Sequence, residues 1–170
     1  FAPGDPNASA TPNAIAAAYS NNFAGANGTT LFVIDPNLNA LLTLGSAGGT
    51  PVSPNAGQLF TVGTLGVDAT GAVGFDISSA SGAAFAVFST AGNTTPQLFS
   101  INLTSGAATP IGTISGLTGG ETILDLAVGL NTPTVFATTI SNQLISFPAG
   151  APGTILSSVP ITGLVSNERI

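Results

Sequence analysis

The chain has 170 residues, enough for one domain with a real core, and 44% of them are apolar, an ordinary share for a globular protein. Its charge is not ordinary: 5% of residues are charged, Arg169 is the single cation, Lys and His are absent, and the net charge is -6. That balance leaves nothing to neutralise phosphates and excludes nucleic acid and anionic membrane surfaces as partners, while the lack of Cys and His removes disulfides, thiolate and imidazole chemistry and the usual ligands of zinc, copper and haem iron.

Residues 1–13, FAPGDPNASATPN, carry three prolines and an Asp-Pro step and read as an extended leader. Ala14 to Asn22 is the one place where a helix competes, because alanine is the best helix former. It has no cap and no charged face, so a buried strand of small side chains is the better expectation. After the turn AGANGTT, the run LFVIDPN predicts a strand that stops at Pro36, with Phe32 and Ile34 on one face and Leu31, Val33 and Asp35 on the other. Leu41 to Leu44 is a short apolar run, Gly45 to Gly57 a loop rich in Gly and Pro, and Gln58 to Val67 closes a first unit of about residues 14–66.

Beyond it the chain repeats. Val73 to Ile123 and Ile123 to Ile170 align with Gln97 on Gln143, Leu98 on Leu144, Ser100 on Ser146, Gly116 on Gly163, Glu121 on Glu168 and Ile123 on Ile170. The period of about 46 to 49 residues is that of a four-stranded propeller blade. The first unit is a looser copy, with LFVIDPNLNALLTL standing where LFSINLTSGAATPI stands in the second, so that Phe32/Ile34, Phe99/Ile101/Leu103 and Ile145/Phe147 are expected at equivalent positions on one face. Breakers at Asp68–Gly71, Ser79–Gly82, Ala91–Thr94, Thr104–Gly106, Gly119-Gly120 and Ala149–Gly153 separate short apolar runs, the pattern of an all-β sandwich, barrel or propeller.

The expected fold is therefore all-β with propeller-like blade repeats: about three blades, near residues 14–66, 73–116 and 123–164, with 165–170 beginning a further one. Closed propellers need about four to eight blades. Three form an open arc, closed only by further blades or by neighbouring subunits.

The acidic residues are Asp5, Asp35, Asp68, Asp76, Glu121, Asp125 and Glu168. Asp76 in GFDIS and Asp125 in ILDLAV fall at the same point of the repeat, which admits paired carboxylates for glycoside hydrolysis or a hard-cation site. Recurrence points instead to a structural aspartate accepting hydrogen bonds in each blade, and the recurrence of Glu121 at Glu168 reads the same way. Neither Asp35-Pro-Asn37 nor Asp68–Gly71 has calcium-loop spacing, and turn formation explains both. No G-x-S-x-G and no His base support a serine nucleophile. The residues thus name no catalytic group, no metal ligand and no cofactor. Of four N-x-[ST] triplets, at Asn7, Asn27, Asn93 and Asn102, the better glycosylation candidates are Asn27 and Asn93, both predicted in turns.

The strings GDPNASATPNAIAAAYSNNFAGANGTTLFVID, LGVDATGAVGFDIS, QLFSINLTSGAATPIGTI and ISNQLISFPAGAPGTILSSVPITGL together resemble the bacterial family known as domain of unknown function 4394. The resemblance implies a secreted or surface-anchored, propeller-like protein and carries no catalytic residue. Its order is permuted: segments like 1–130 belong to the later part of the family's domain and segments like 142–164 to its opening, so a window across two tandem copies or a permuted domain is expected, with the missing middle beginning after Ile170.

Together these readings predict a non-catalytic extracellular structural protein whose open β edges join head to tail with copies of itself into a filament or surface coat. The alternative is a fragment of a larger closed propeller that binds a glycan or protein ligand. A lysine-free chain offers proteases almost no basic cleavage site, which favours a place outside the cell. No run approaches about 18 apolar residues, so no membrane span is expected, and a secretion signal is expected to have been removed or to lie outside this sequence.

Overall fold

The structure, a computed structural model, describes residues 1–117, 121–129 and 134–163. Among these residues the fold is all-β, as the alternation predicts: twelve strands, no α-helix, and two single 3-10 turns at Ala47–Gly49 and Pro54–Ala56. Strands β1 (Ala16–Tyr19), β2 (Leu31–Asp35), β3 (Ala40–Leu44) and β4 (Leu59–Thr64) form the first sheet. The second holds β5 (Ala69–Ile77), β6 (Ala84–Thr90), β7 (Asn93–Ile101) and β8 (Ala108–Thr113), and the third β9 (Ile123–Val128), β10 (Thr134–Thr139), β11 (Gln143–Pro148) and β12 (Ser157–Pro160). Each sheet is an antiparallel meander in chain order and none closes on itself.

Alternation along the strands builds two cores between sheets. Phe32, Ile34 and Leu41 of sheet 1 meet Phe75, Ile77, Ala86, Phe88, Phe99 and Ile101 of sheet 2. The rings of Phe88 and Phe99 stack there with centroids 4.1 Å apart. The opposite face of sheet 2, with Val87 and Leu98, packs on Ile123, Leu126, Val135, Ala137, Ile145 and Phe147 of sheet 3. The first strands come closest, β1 on β5 and β5 on β9. Glycine is required at that approach: a Cβ at Gly74 would lie 2.9 Å from Cα of Asp125.

The outer face of sheet 1 is a third cluster, in which Val33, Leu42 and Leu59 are buried together with part of Phe1. Leader residues also satisfy the free edge of β4. Ala2 N–H donates to the carbonyl of Leu59 at 2.8 Å, and Thr61 N–H donates to Oδ2 of Asp5 at 2.6 Å. A sheet edge left with unpaired backbone groups invites pairing with another chain, and here the chain covers its own.

Three expectations need correction. β1 is a strand, but only Ala18 of its four residues is buried; β1 is an edge strand paired with β2 alone, and Ala17 and Tyr19 alternate onto the margin of the outer face, beyond the part that Phe1 covers. Second, LFVID does not match QLFSI. β2 is the second strand of its sheet, whereas β7 and β11 are the third strands of theirs. Every strand of a sheet shares the same alternation, so the pattern fixes a face and leaves the strand's rank open. Third, Asp68–Gly71 is not a break: β5 already begins at Ala69 and is bulged between Thr70 and Gly74. The Gly119-Gly120 turn and the stub at 165–170 lie outside the described residues.

Candidate functional site

Four of the carboxylates, on Asp5, Asp35, Asp68 and Asp76, fasten one element to another. Asp35, fully buried, accepts N–H groups of Asn13 (2.5 Å) and Leu38 (3.0 Å), tying the leader's end to the β2–β3 turn. Asp5 accepts from Asn7 N–H (2.8 Å) and from both the N–H and the hydroxyl of Thr61 (2.6 and 2.7 Å). Partial burial works against ionisation of Asp5, but those hydrogen bonds and the positive N-terminal amine outweigh it and hold its pKa below the ordinary carboxylate value. Asp68 Oδ1 accepts from Asn39 Nδ2 at 2.9 Å. Glu121 is half-buried at the mouth of a cleft of about 360 Å³ lined by Thr94, Thr95, Pro96, Leu117 and Thr122, and Glu168 lies outside the described residues.

Asp76 and Asp125 do not occupy the same point of the repeat. Phe85 pairs with Ser100 and with Asp76 in sheet 2, and Phe136 pairs with Ser146 and with Ala127 in sheet 3. With Ser100 and Ser146 equivalent, Asp76 corresponds to Ala127, and Asp125 corresponds to Gly74. The offset arises in the hairpin between the second and third strands: 15 residues separate Phe85 from its partner Ser100, and only 10 separate Phe136 from its partner Ser146, so spacing counted along the chain drifts from spacing across the sheet. The two side chains also have different duties. Asp76 Oδ1 accepts its neighbour Ile77 N–H and Oδ2 accepts Val128 N–H at 2.7 Å, stitching sheet 2 to sheet 3. Asp125 accepts Leu126 N–H at 2.8 Å and lines the outer face of sheet 3. Among the described residues no three His, Cys, Asp or Glu side chains cluster as metal ligands would.

That outer face holds an apolar groove. Asp125, Ala127, Phe136, Thr138 and Leu144 border a hollow of about 200 Å³. Phe136 is 42% and Leu144 37% exposed. The register makes their equivalents on sheet 2 Phe85 and Leu98, and those lie under sheet 3, with Leu98 fully buried. Identical positions on successive sheets are thus covered once and uncovered once.

The glycosylation candidates separate. Asn27 is exposed in the β1–β2 loop, whereas Asn93 is the first residue of β7, half-buried, with Oδ1 accepting Thr95 N–H at 3.1 Å. The predicted turn there is only Ala91 and Gly92.

One pair of residues escaped the sequence reading. Asn39 and Asn142 each sit one residue before the third strand of their sheet in a left-handed conformation, with φ of 48° and 56°. Each accepts on its carbonyl an N–H from the first residue past the fourth strand, Leu65 (2.7 Å) and Ile161 (2.8 Å). Asn39 goes further: its Oδ1 accepts Ala69 N–H at 2.8 Å and its Nδ2 reaches Asp68, so its side chain holds the start of sheet 2. Asn142 Oδ1 is buried and has no hydrogen-bond partner among the described residues. The available signal was an Asn immediately before an apolar run at a hairpin, since Asn tolerates positive φ better than other side chains.

No curated protein matches this sequence. The family described as Domain of unknown function (DUF4394) matches residues 1–127, a stretch that takes in the leader, sheets 1 and 2 and most of β9. By that match across 127 of its 170 residues, and with a leader and two sheets inside the matched region, the chain belongs to the DUF4394 family.

Proposed function

We propose that this chain is a non-catalytic structural module, a three-bladed arc of a propeller that works outside the cell and is completed by further blades on the outer face of sheet 3. One observation carries the reading: Phe136 and Leu144 stand open at the positions where Phe85 and Leu98 of the preceding sheet are covered. Soluble proteins seldom leave an apolar sheet face bare without a partner for it. The carboxylates support a structural role, since Asp5, Asp35 and Asp76 are each engaged by two or more hydrogen bonds that fasten one element to another.

Two sources of the next blade differ in what they need. Head-to-tail joining of copies into a filament or coat needs both ends of the arc open, and a single cation with net charge -6 gives no opposite-charge pairing to specify it. The leader already occupies the outer face and edge of sheet 1. That favours the second source, the same polypeptide, and with it a larger arc or closed propeller whose loops present a binding surface for a glycan or protein. Negative-stain electron microscopy with intact mass on native material tests the reading: discrete particles with a chain heavier than 16.5 kDa support the larger propeller, filaments of 16.5 kDa subunits support the polymer, and a monodisperse 16.5 kDa monomer with no partner sinks both.

A further inference from the structure

We infer that the outward row of β1 is a docking surface for a second copy of this chain: Tyr19, with Ile15 and Ala17 beside it, seats in the groove next to Phe136 on the outer face of the other copy's sheet 3. This rests on the arc of the reading above and concerns how its two ends fit each other; it does not depend on which polypeptide carries a further blade.

The register of the three sheets places that row. Asn39 and Asn142 stand just before the third strands of sheets 1 and 3, so Thr43 corresponds to Ser146. Phe32 pairs with Thr43 and with Ala18, as Phe136 pairs with Ser146 and with Ala127, and Phe85 with Ser100 and with Asp76. Ala17 and Tyr19 therefore stand where Phe75 and Ile77 stand on β5, and where Leu126 and Val128 stand on β9. Those two rows pack on the sheet before them: Phe75 and Ile77 join Phe32 and Leu41, and Leu126 and Val128 join Phe85 and Leu98. On β1 the same row is bare, with Tyr19 43% and Ile15 46% exposed. The surface that receives such a row carries a Phe and a Leu on every sheet, and on sheet 3 that pair, Phe136 and Leu144, is open. A joint between copies thus continues the two sheet-on-sheet cores already formed.

Polar groups match as well. Asp76 and Asp125 each accept the following N–H on Oδ1, and Asp76 Oδ2 accepts Val128 N–H from the next first strand. Asp125 Oδ2 has no partner among the described residues. Asp76 corresponds to Ala127 and reaches one residue past it; the same step from Asp125, which corresponds to Ala16, leads to Ala17. Ser20 N–H bonds to the carbonyl of Thr30, so alternation turns the N–H groups of Ala17 and Tyr19 to the free edge of β1. The groove, about 200 Å³, is smaller than the about 300–1,000 Å³ of small-molecule pockets and suits one aromatic anchor from a protein partner. The leader narrows the joint. Phe1 covers Val33, Leu42 and Leu59, so sheet 3 meets the inner strand and not the whole outer face, and the contact is a small, reversible one.

Sedimentation equilibrium of the 170-residue chain tests this, from about 10 μM to about 1 mM in about 0.15 M salt, which screens charge beyond about 8 Å. The weight-average mass should climb above 16.5 kDa as concentration rises. Tyr19→Glu and Phe136→Glu each block one end and should be monomeric alone, while their equimolar mixture, in which each chain keeps one intact end, should form a one-to-one dimer and nothing larger. Leu144→Glu is a second block of the sheet 3 end and should behave as Phe136→Glu does. Leu156→Glu, at a leucine that is 59% exposed but outside the joint, should associate like the parent. A parent that stays at 16.5 kDa throughout overturns the joint, and so does a mixture that stays monomeric. Association of Tyr19→Glu equal to the parent's, or its loss in Leu156→Glu, overturns it too. None of these results touches the reading above, which falls instead to a native monomer of 16.5 kDa.

Discussion

The outer faces of sheets 1 and 3 are built from the same kinds of residue and end in opposite states. On sheet 1, Val33 and Leu42 are buried beneath Phe1 and the neighbouring apolar residues Leu31, Leu38 and Leu44. On sheet 3, Phe136 and Leu144 meet no such cover among the described residues and border a groove. The difference teaches that an end sheet of this architecture needs a lid, and that a leader of thirteen residues can be one. It does so through specific grips: Asp5 on Thr61, Ala2 on Leu59, and Asn13 on Asp35.

The largest expected effect comes from cutting side chains on the two faces. Leu42→Ala should destabilise the chain by about 2–5 kcal/mol, the range for a fully buried leucine, and Leu144→Ala by less than about 1 kcal/mol. Urea unfolding of the 170-residue chain measures both, and equal losses would erase the contrast.

Releasing the leader comes next. Asp5→Ala removes the acceptor of three hydrogen bonds and should cost about 1–2 kcal/mol, discounted for partial exposure. The same residue gives a pH signature. Its folded pKa lies below the ordinary value of 3.8, so its contribution is complete above that value and is lost as pH falls through the folded one. Acid unfolding of the parent should therefore be steeper below about pH 4 than that of Asp5→Asn, and superimposable acid limbs would contradict the grip.

The smallest effect separates the two asparagines. In the 170-residue chain, Asn39→Gly loses two hydrogen bonds and should cost about 1–2 kcal/mol, while Asn142→Gly removes a buried acceptor that has no donor among the described residues and should cost nothing or stabilise by up to about 1–3 kcal/mol. Thermal or urea unfolding resolves the difference, and an equal cost at Asn142 would show that its side chain already has a role within the chain.

Much of this fold was legible because it depends on alternation. Phe32 and Ile34 against Leu31 and Val33 were assigned to opposite faces from period two alone, and those pairs lie in different clusters. The all-β class followed from breakers at intervals, and the family from long strings, of which those within residues 1–127 lie in the matched stretch. What was not legible depends on register. A longer β6–β7 hairpin moved Asp76 two places out of step with Asp125, and the likeness of LFVID to QLFSI concealed a difference in strand rank. The Asn39 bridge was hidden for a related reason. Its donor, Ala69, is thirty positions away, and only the closing of a whole sheet brings the two together.

The central claim is that sheet 3 has an open face awaiting a sheet while sheet 1 carries its own cover. Carbene footprinting read by mass spectrometry tests it most directly, comparing Phe136 and Leu144 with Val33 and Leu42 in the 170-residue chain and in native material. Heavy labelling of Phe136 and Leu144 in the isolated chain, falling in native material to the low level of Val33 and Leu42 in both, is the predicted result. Equal labelling of the two faces in the isolated chain, or unchanged labelling of Phe136 and Leu144 in native material, would contradict it.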